Sequence, residues 1–269
     1  MPTIGFEFKC HGARVRLRAS SISLLAAMHD RLPPASKVIN SEGPASLFSI
    51  IARNCLYRLY GGSQLLMETD SRDSALSELE SQLHGAIAFN SSPGLFVHAG
   101  VVGWKQGAIV IPGRSGSGKS TLVAALVSAG AAEYYSDEYA IFDQAGYVHP
   151  YPKLLSLREP FEGHTGKCSA AELGGRVGTE PIPVRLVVAT HYDEHGYWQP
   201  QILSPSQTVL RLFENTIHAR KRAHYAMDIF ARVAATSVAV GGARPTWDRV
   251  LPSLLALCEE SANLPMVRC

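Results

Sequence analysis

One segment of the sequence, AIVIPGRSGSGKSTLVAALVSAG at residues 108–130, constrains the fold most, because a glycine-rich turn separates two apolar runs. The turn contains Gly, four further residues and then Gly-Lys-Ser, and Gly113, Gly118, Lys119 and Ser120 occupy these positions. This spacing, after a strand and before a helix, is typical of a loop that binds nucleotide phosphates. The alternative is a Gly/Ser linker that matches by chance, but a linker would not lie between a strand and a helix with an apolar inner face.

The residue types in this turn suit phosphate binding. Glycine adopts positive φ easily, so the backbone can turn a row of N–H groups toward phosphate oxygens. The following helix adds the partial positive charge of its N-terminus, the Lys119 ammonium can reach the β- and γ-phosphates, and the Ser120 hydroxyl can bind Mg²⁺. The sequence therefore predicts a nucleotide site formed by Gly113, Arg114, Ser115, Gly116, Ser117, Gly118, Lys119, Ser120 and Thr121.

The composition excludes several classes of partner. The chain has 269 residues, of which 46% are apolar and 18% charged, and its formal net charge is +2. A charge this small argues against nucleic acid or an anionic membrane surface as the main partner. The sequence lacks a long uncharged apolar run and a signal-peptide pattern, so we expect a cytoplasmic protein. Five scattered cysteines without a CxxC pair favour neither a disulfide framework nor a zinc site.

A turn cluster, Asn90-Ser91-Ser92-Pro93-Gly94, divides the chain into a predicted α/β region at residues 1–92 and a nucleotide domain at residues 93–269. In the first part, GFEFKC and ARVRLRA alternate as strands do, while SISLLAAMHDRL and DSRDSALSELESQLHGAIAF are predicted helices. LYRLY and SQLLMET form a predicted hairpin that turns at Gly61-Gly62. This first region is a candidate for substrate or partner binding.

The second part alternates strands and helices around the glycine-rich turn. LFVHAGVVGWKQGAIVIPG predicts two strands, AEYYSDEYAIFDQAGYVHPYPKLLSLRE two or three short ones, and PVRLVVATHY another buried strand. Residues 161–180 are glycine-rich, polar and without periodicity, so we predict a mobile loop there. Three helices complete the chain, in SPSQTVLRLFENTIHARKR, HYAMDIFARVAATS and PTWDRVLPSLLALCEE.

Four residues outside the turn are candidates for chemistry. Asp137 and Glu138 follow the apolar run EYY at the end of a predicted strand, where open α/β sheets bind ligands; an exposed turn pair is the alternative. His98 is either a core histidine in an apolar strand or a proton-handling group near the phosphates. Arg158 is either a surface charge or a guanidinium that binds phosphate.

Two further polar clusters have simpler interpretations. HARKRAH at residues 218–224 places cations at a helix end, where the helix dipole favours them in any case. Docking of an acidic or phosphorylated substrate is the alternative there. THYDEHGYW contains His and acidic residues but lacks the helical HExxH layout of a metal site, so we interpret them as loop residues.

The sequence around the turn resembles the HPr kinase family. In that family a His-containing strand precedes the phosphate-binding loop, an aspartate-bearing strand end follows the loop helix, and a Leu-rich segment with an Arg comes next. This chain has VHAGVV with His98, then the loop, then YYSDEYAIFD with Asp137 and Glu138, then PYPKLLSLRE with Arg158. The similarity covers about residues 94–240, and it is greatest to HPr-kinase-related proteins, some of which occur beside peptide-modification enzymes.

The resemblance implies an α/β fold akin to that of phosphoenolpyruvate carboxykinase, with a P-loop nucleotide-binding domain and a smaller N-terminal α/β layer. It also implies an ATP- and Mg²⁺-dependent kinase that phosphorylates a serine-type hydroxyl of a peptide, protein or small metabolite, for example a ribosomal peptide that is being tailored. Asp137 matches the family's acid/base aspartate, and with Lys119, His98 and Arg158 it forms the implied catalytic set. Ser120, Asp137 and Glu138 are the implied Mg²⁺ ligands. HPr kinases form oligomers, so a homo-oligomer is a further expectation.

One position departs from the family pattern. HPr kinases carry a Glu two residues before the Arg of the third segment, where it helps to hold Mg²⁺, whereas Ser156 stands at that place here. Serine is a weaker Mg²⁺ ligand than a carboxylate, so the ion would depend on Ser120, Asp137 or Glu138, on water and on nucleotide oxygens. The HPr-specific signature around that Glu is also missing, which argues against HPr itself as the substrate.

Two alternatives to a kinase stay open. The first is a nucleotide-binding sensor or scaffold without transferase activity, which the missing Glu favours. The second is a simple ATPase. A GTPase is less favoured because the sequence lacks an NKxD-type segment.

Overall fold

The computed structural model of the chain describes residues 3–40, 43–130 and 132–262, without the side chains of residues 159 and 160. The fold is mixed α/β and contains several sheets. The described residues divide into two compact units, one that ends at Gly94 and one that begins at Leu95. Within these ranges, none of the helices is long and apolar enough to cross a membrane.

The described part of the first unit is a six-stranded sheet with two helices. Its elements in chain order are β1 (Ile4–Cys10), β2 (Ala13–Ala19), α1 (Ile22–His29), β3 (Lys37–Ile39), β4 (Ser46–Arg53), β5 (Leu56–Gly61), β6 (Gln64–Thr69) and α2 (Arg72–Asn90). The strand order is β3-β1-β2-β4-β5-β6. Strands β2 and β4 are parallel, and the other neighbours are antiparallel.

The alternating strand sequences bury one face of this sheet. Phe8, Leu17, Ile50 and Leu59, from four different strands, are fully buried. Helix α2 contacts β2, β4, β5 and β6, and its apolar residues at helical spacing are buried, namely Leu76, Leu79, Leu83 and Ile87. The predicted strands β1 and β2 and both predicted helices are therefore confirmed.

The predicted hairpin is present, but its turn lies one residue further along the chain. Gly61 pairs with Gln64, so Gly62 and Ser63 form the two-residue turn rather than Gly61 and Gly62. Gly62 has a φ of +61°, the left-handed conformation that such turns need. The sequence alone does not show which of Gly61 and Gly62 adopts this left-handed conformation.

The second unit carries the glycine-rich loop, residues 113–118. Its described elements are β7 (Leu95–Trp104), β8 (Gly107–Pro112), α3 (Lys119–Ser128), β9 (Ala132–Ser136), β10 (Tyr139–Phe142), β11 (Tyr147–His149), β12 (Leu155–Phe161), β13 (His164–Cys168), β14 (Arg176–Val177), β15 (Ile182–Tyr192), β16 (Gln201–Ile202), α4 (Pro205–Glu214), a 3₁₀ turn (Ala219–Arg222), α5 (Ala223–Thr236), β17 (Val238–Arg244) and α6 (Trp247–Ala262).

Long strands organise the main sheet of this unit. β7 is antiparallel to β8 on one side and to β10 and then β9 on the other. β15 is parallel to both β8 and β17. Because β8 and β9 are both antiparallel to β7, the strands β8, β9, β15 and β17 all run in one direction.

Helix α3 is more deeply buried than its sequence pattern predicts. Every residue from 122 to 127 is buried, so the helix has no polar outer face over these residues. It contacts β7 and β9 of the sheet and is also covered by β12 and α6. The sequence predicts burial of only one face of α3, because the elements that cover its other face come from distant parts of the chain.

Residues 161–180 do not form the irregular loop that the sequence predicts. They contain β13, which pairs with β12 in a two-stranded ribbon, and β14, which pairs with β9. The ribbon buries only a few residues, among them Leu155, Leu157, Phe161 and Cys168, while most of β13 is exposed. A strand with so little buried surface shows no alternating apolar pattern, which is why the sequence analysis missed it.

Candidate active site

The candidate site lies at one edge of the main sheet. The glycine-rich loop follows β8, Asp137 and Glu138 follow β9, and Arg244 ends β17. Because these strands run in one direction, their carboxyl ends meet at the same edge, where α/β sheets hold ligands. The structure thus brings together groups that are more than 100 residues apart in the sequence.

The glycine-rich loop uses glycine where the backbone requires it. Gly116 and Gly118 have φ values of +85° and +77°. Gly118 is also the N-cap of α3, and its cap has no side-chain hydrogen bond. The first N–H groups of a helix lack partners within the helix, and no capping side chain satisfies them here. This end of α3 therefore suits an anion.

Two predicted cations contact the loop. Lys119 is 9% exposed, and its Nζ donates a hydrogen bond to the Arg114 carbonyl oxygen at 2.7 Å. Burial lowers the pKa of Lys119, and the nearby Asp137 and Glu138 carboxylates oppose this shift. Arg158 extends from β12, and its Nη2 donates to Ser115 Oγ at 2.9 Å. Lys119 and Arg158 thus contact two different residues of the loop.

Asp137 is buried directly beside the start of α3. It is 4% exposed, and its Oδ2 accepts hydrogen bonds from Ser120 Oγ at 3.1 Å and from the Ser156 backbone N–H at 3.0 Å. The Tyr134 hydroxyl lies 3.3 Å from Oδ1 and donates more closely, at 2.8 Å, to the Lys153 carbonyl oxygen. These contacts fix the carboxylate in one orientation.

Burial raises the pKa of Asp137 above its ordinary value. The Ser156 N–H, the Lys153 ammonium and the Ser120 hydroxyl lower this pKa, and Glu138 raises it. Desolvation is the largest of these effects, since it disfavours the charged form of the carboxyl group. A carboxylate of raised basicity at the start of this helix is a group that can accept a proton.

Glu138 differs from Asp137 because a lysine neutralises it. Its carboxylate forms an ion pair with Lys153 Nζ, and both side chains are half-buried. Ser136 Oγ accepts a hydrogen bond from the Glu138 N–H at 3.2 Å, which shapes the turn after β9. Lys153 is not among the residues predicted from the sequence, although it follows two prolines in PYPKLL.

His98 lies in β7, between the loop and Glu138. Its backbone carbonyl accepts from the Gly113 N–H at 3.1 Å, and its ring centre is 5.1 Å from that of Tyr139. The side chain is half-buried, and burial lowers the pKa of His98 below 6.5; the Glu138 carboxylate opposes this shift and Lys119 adds to it. His98 is therefore mainly neutral at pH 7 and can accept a proton.

Arg244 is a site residue that the sequence analysis missed. It is 3% exposed, and its Nη2 donates to the Ser117 carbonyl oxygen of the loop at 2.7 Å. The sequence patterns predict helices on either side of this segment and no strand between them. The run SVAV before Gly-Gly-Ala-Arg-Pro was the available signal for a short strand that ends at an arginine.

The remaining candidates take the following positions. Thr121 is half-buried in the first turn of α3. In the HARKRAH cluster, the Arg222 guanidinium lies 4.2 Å from the centre of the Tyr225 ring. In THYDEHGYW, Asp193 Oδ1 accepts from the His195 N–H in a local turn. Across the described residues, no group of three or more His, Cys, Asp or Glu side chains could hold a metal ion by itself.

Comparisons with known proteins yield similarities to solved structures but no match at the level of sequence. No protein-family model matches the chain, and no curated protein matches its sequence. Among solved structures, the chain is similar to the HPr(Ser) kinase/phosphatase from Coxiella burnetii, with a TM-score of 0.32 and 14% sequence identity over 62% of this chain and 95% of that chain. A similarity at this level does not assign the chain to a family.

Proposed function

We propose that this protein is an ATP- and Mg²⁺-dependent kinase that transfers the γ-phosphoryl group to a serine-type hydroxyl of a peptide, protein or small metabolite. In this proposal the second unit is a P-loop nucleotide domain of the HPr kinase and phosphoenolpyruvate carboxykinase type. The observation that carries the proposal is the buried Asp137 carboxylate, 3.1 Å from the Ser120 hydroxyl at the end of the glycine-rich loop. In this proposal a phosphate site and a proton acceptor would be adjacent.

The loop and its cations would bind the triphosphate. The Gly113 and Ser117 N–H groups donate to the His98 and Arg114 carbonyl oxygens, so the backbone N–H groups at the N-terminus of α3, residues 118–121, would bind the phosphates. Lys119 now donates to the Arg114 carbonyl and can exchange that neutral acceptor for a phosphate oxygen. Arg158, which is exposed and contacts Ser115, can reach the same ligand from β12. The positive charges would offset the charge of the phosphates.

The residues present fit a Mg²⁺ ion that is shared with the nucleotide. Mg²⁺ prefers oxygen ligands, and proteins commonly hold it with one or two carboxylates plus substrate phosphates and water. Ser120 Oγ and Asp137 Oδ2 would provide two such oxygens, and Glu138 would provide a third if Lys153 released it. The ion, when bound, supplies charge neutralisation of the phosphate oxygens.

Asp137 would orient and deprotonate the acceptor hydroxyl. As the acceptor oxygen forms its bond to the γ-phosphorus, the bond from that phosphorus to the β,γ-bridging oxygen breaks, and ADP leaves with the electron pair. The hydroxyl proton passes to the Asp137 carboxylate, which acts as the general base. In this proposal His98, whose neutral ring lies near Glu138 and Lys119, handles protons beside the phosphates.

The decisive experiment replaces Asp137 with Asn and measures phosphate transfer and ATP binding separately. We expect transfer to pooled peptides and hydroxylated metabolites to fall by about 10²–10⁴-fold, since general-base catalysis typically contributes that much. ATP binding should persist because the loop is intact. Asp228→Asn is the matched control, since Asp228 is an exposed residue of α5. Full transfer by Asp137→Asn would remove this residue from the mechanism.

A nucleotide-binding sensor is the second candidate. Ser156 stands where HPr kinases carry a Glu, so its side chain provides no carboxylate for Mg²⁺, and its backbone N–H donates to Asp137. The same assay separates the two. A sensor binds ATP without consuming it, and a simple ATPase consumes ATP without an acceptor. Only a kinase transfers the phosphate to a hydroxyl.

A further inference from the structure

Arg244 places a buried positive charge against the glycine-rich loop. Its strand, β17, lies beside β15 and two positions from β8, so the side chain crosses the carboxyl end of β15 to reach the loop. Nη2 donates to the Ser117 carbonyl oxygen at 2.7 Å, and Nη1 lies 3.4 Å from the Pro245 carbonyl oxygen. A Cβ atom on Gly118 would lie 2.3 Å from Nη2, so only glycine leaves room for the guanidinium.

This charge has no counter-charge within the described part of the chain. None of the described Asp or Glu carboxylates forms an ion pair with Arg244, and its buried Nε makes no hydrogen bond with a described residue. The centre of the Tyr192 ring is 5.8 Å from the guanidinium carbon, which is a weak contact. Proteins rarely bury an arginine without an anionic partner, because desolvation of the charge is costly.

The contact with Ser117 also orients the next peptide N–H. In a trans peptide the carbonyl of one residue and the N–H of the following residue point in opposite directions. Because Arg244 holds the Ser117 carbonyl, the Gly118 N–H points away from Arg244. That N–H lies at the N-cap of α3, beside Lys119, where the proposed phosphate site is.

We propose that Arg244 is a positioning residue of the glycine-rich loop: it fixes the peptide between Ser117 and Gly118 for binding of a nucleotide's phosphate tail, and that tail supplies its missing counter-charge. This inference rests on the proposed nucleotide site and adds a residue to it. Recognition is of the phosphates alone, so Arg244 contributes equally to binding of ATP and of inorganic tripolyphosphate.

The test compares Arg244→Gln and Arg244→Lys in the full chain by calorimetric titration with MgATP and with sodium tripolyphosphate. We expect Arg244→Gln to weaken both ligands by the same factor, about tenfold or more, as for loss of a hydrogen bond to a charged group. Arg244→Lys keeps the charge without the planar fork and should recover part of the affinity. Arg249→Gln, which removes an exposed arginine of α6, is the control with the same change in net charge.

Thermal unfolding without ligand distinguishes this role from a merely structural one. Because Arg244→Gln removes an uncompensated buried charge, we expect its ligand-free melting temperature to equal or exceed that of the wild type. Its stabilisation by tripolyphosphate should be smaller than that of the wild type. A lower ligand-free melting temperature with unchanged affinities would overturn the proposal, and so would weaker ATP binding with unchanged tripolyphosphate binding.

The titrations also separate this inference from the proposed function. If the wild type and Arg249→Gln bind neither ligand, the proposal of a nucleotide site is wrong, and the proposed role of Arg244 is wrong with it. If they bind both ligands and Lys119→Met binds neither, the site stands. In that case, wild-type affinity in Arg244→Gln would overturn the role of Arg244 alone.

Discussion

At the scale of single residues, the basicity of Asp137 depends on two neighbours of opposite charge. Lys153 lowers the pKa of Asp137, whereas Glu138 and burial raise it. Transfer requires the deprotonated carboxylate, so activity should fall as the pH decreases through this pKa. The position of the acidic limb of the pH profile therefore reports the charge balance around Asp137.

We predict that Lys153→Met moves the acidic limb of kcat/KM to higher pH, because loss of the ammonium raises the pKa of Asp137. Glu138→Gln should move the limb to lower pH, because loss of the carboxylate lowers that pKa. Lys105→Met is the control, since Lys105 follows the far end of β7 and pairs with Glu259. Shifts of both variants in the same direction would contradict the assignment of the limb to Asp137.

The same residues show what the sequence could and could not predict about the site. Gly118, Lys119 and Ser120 belong to one local motif, whose spacing already specifies a strand, a loop and a helix. The partners of Asp137 and Ser117 do not follow from spacing, because Lys153 and Arg244 come from later segments that only the folded sheet brings near. Long-range contacts of this kind leave no periodic pattern.

At the scale of elements, the junction between the loop and α3 depends on Gly118 for two reasons. Its φ of +77° strains any other residue, and Arg244 occupies the space of a Cβ atom. Gly130, just beyond the other end of α3, has a φ of +78° but no described atom within 4 Å of an ideal Cβ. A substitution at Gly130 therefore measures backbone strain alone, whereas one at Gly118 measures strain and the steric clash together.

We predict that Gly130→Ala lowers the free energy of unfolding by roughly 1–2 kcal/mol, the usual cost of a left-handed alanine. Gly118→Ala should cost more, because the guanidinium must also move, and it should weaken tripolyphosphate binding. Urea unfolding measures the first effect and calorimetry the second. Equal losses of stability in the two variants would show that the Arg244 contact does not restrain the loop.

The elements themselves were predictable where one face is buried against a core. Strands β1 and β2, with their strict alternation, and helix α2, with its apolar stripe, follow directly from the sequence. Strands β13 and β14 do not, because they are mostly exposed, and the signal for β17 is weak, because its short apolar run is followed by adjacent glycines. Helix α3 was predicted as an element, but its burial on all sides depends on β12 and α6.

At the scale of the whole molecule, the unit that begins at Leu95 has its own core. Two clusters of buried residues, one around α3 and one around β7 and α5, consist entirely of residues between 95 and 262. The glycine-rich loop, Asp137 and Arg244 all belong to this unit. A unit of this size with its own core can in principle fold alone.

We therefore predict that a chain of residues 92–269 folds cooperatively and binds MgATP with the affinity of the full chain. Circular dichroism during heating and calorimetric titration measure the two properties, and Lys119→Met in the shortened chain is the control for binding at the loop. If residues 1–92 bind the acceptor, the shortened chain should lose phosphate transfer to the acceptor but still bind ATP. A shortened chain that folds but does not bind ATP, beside a full chain that does, would mean that the first region contributes to the nucleotide site.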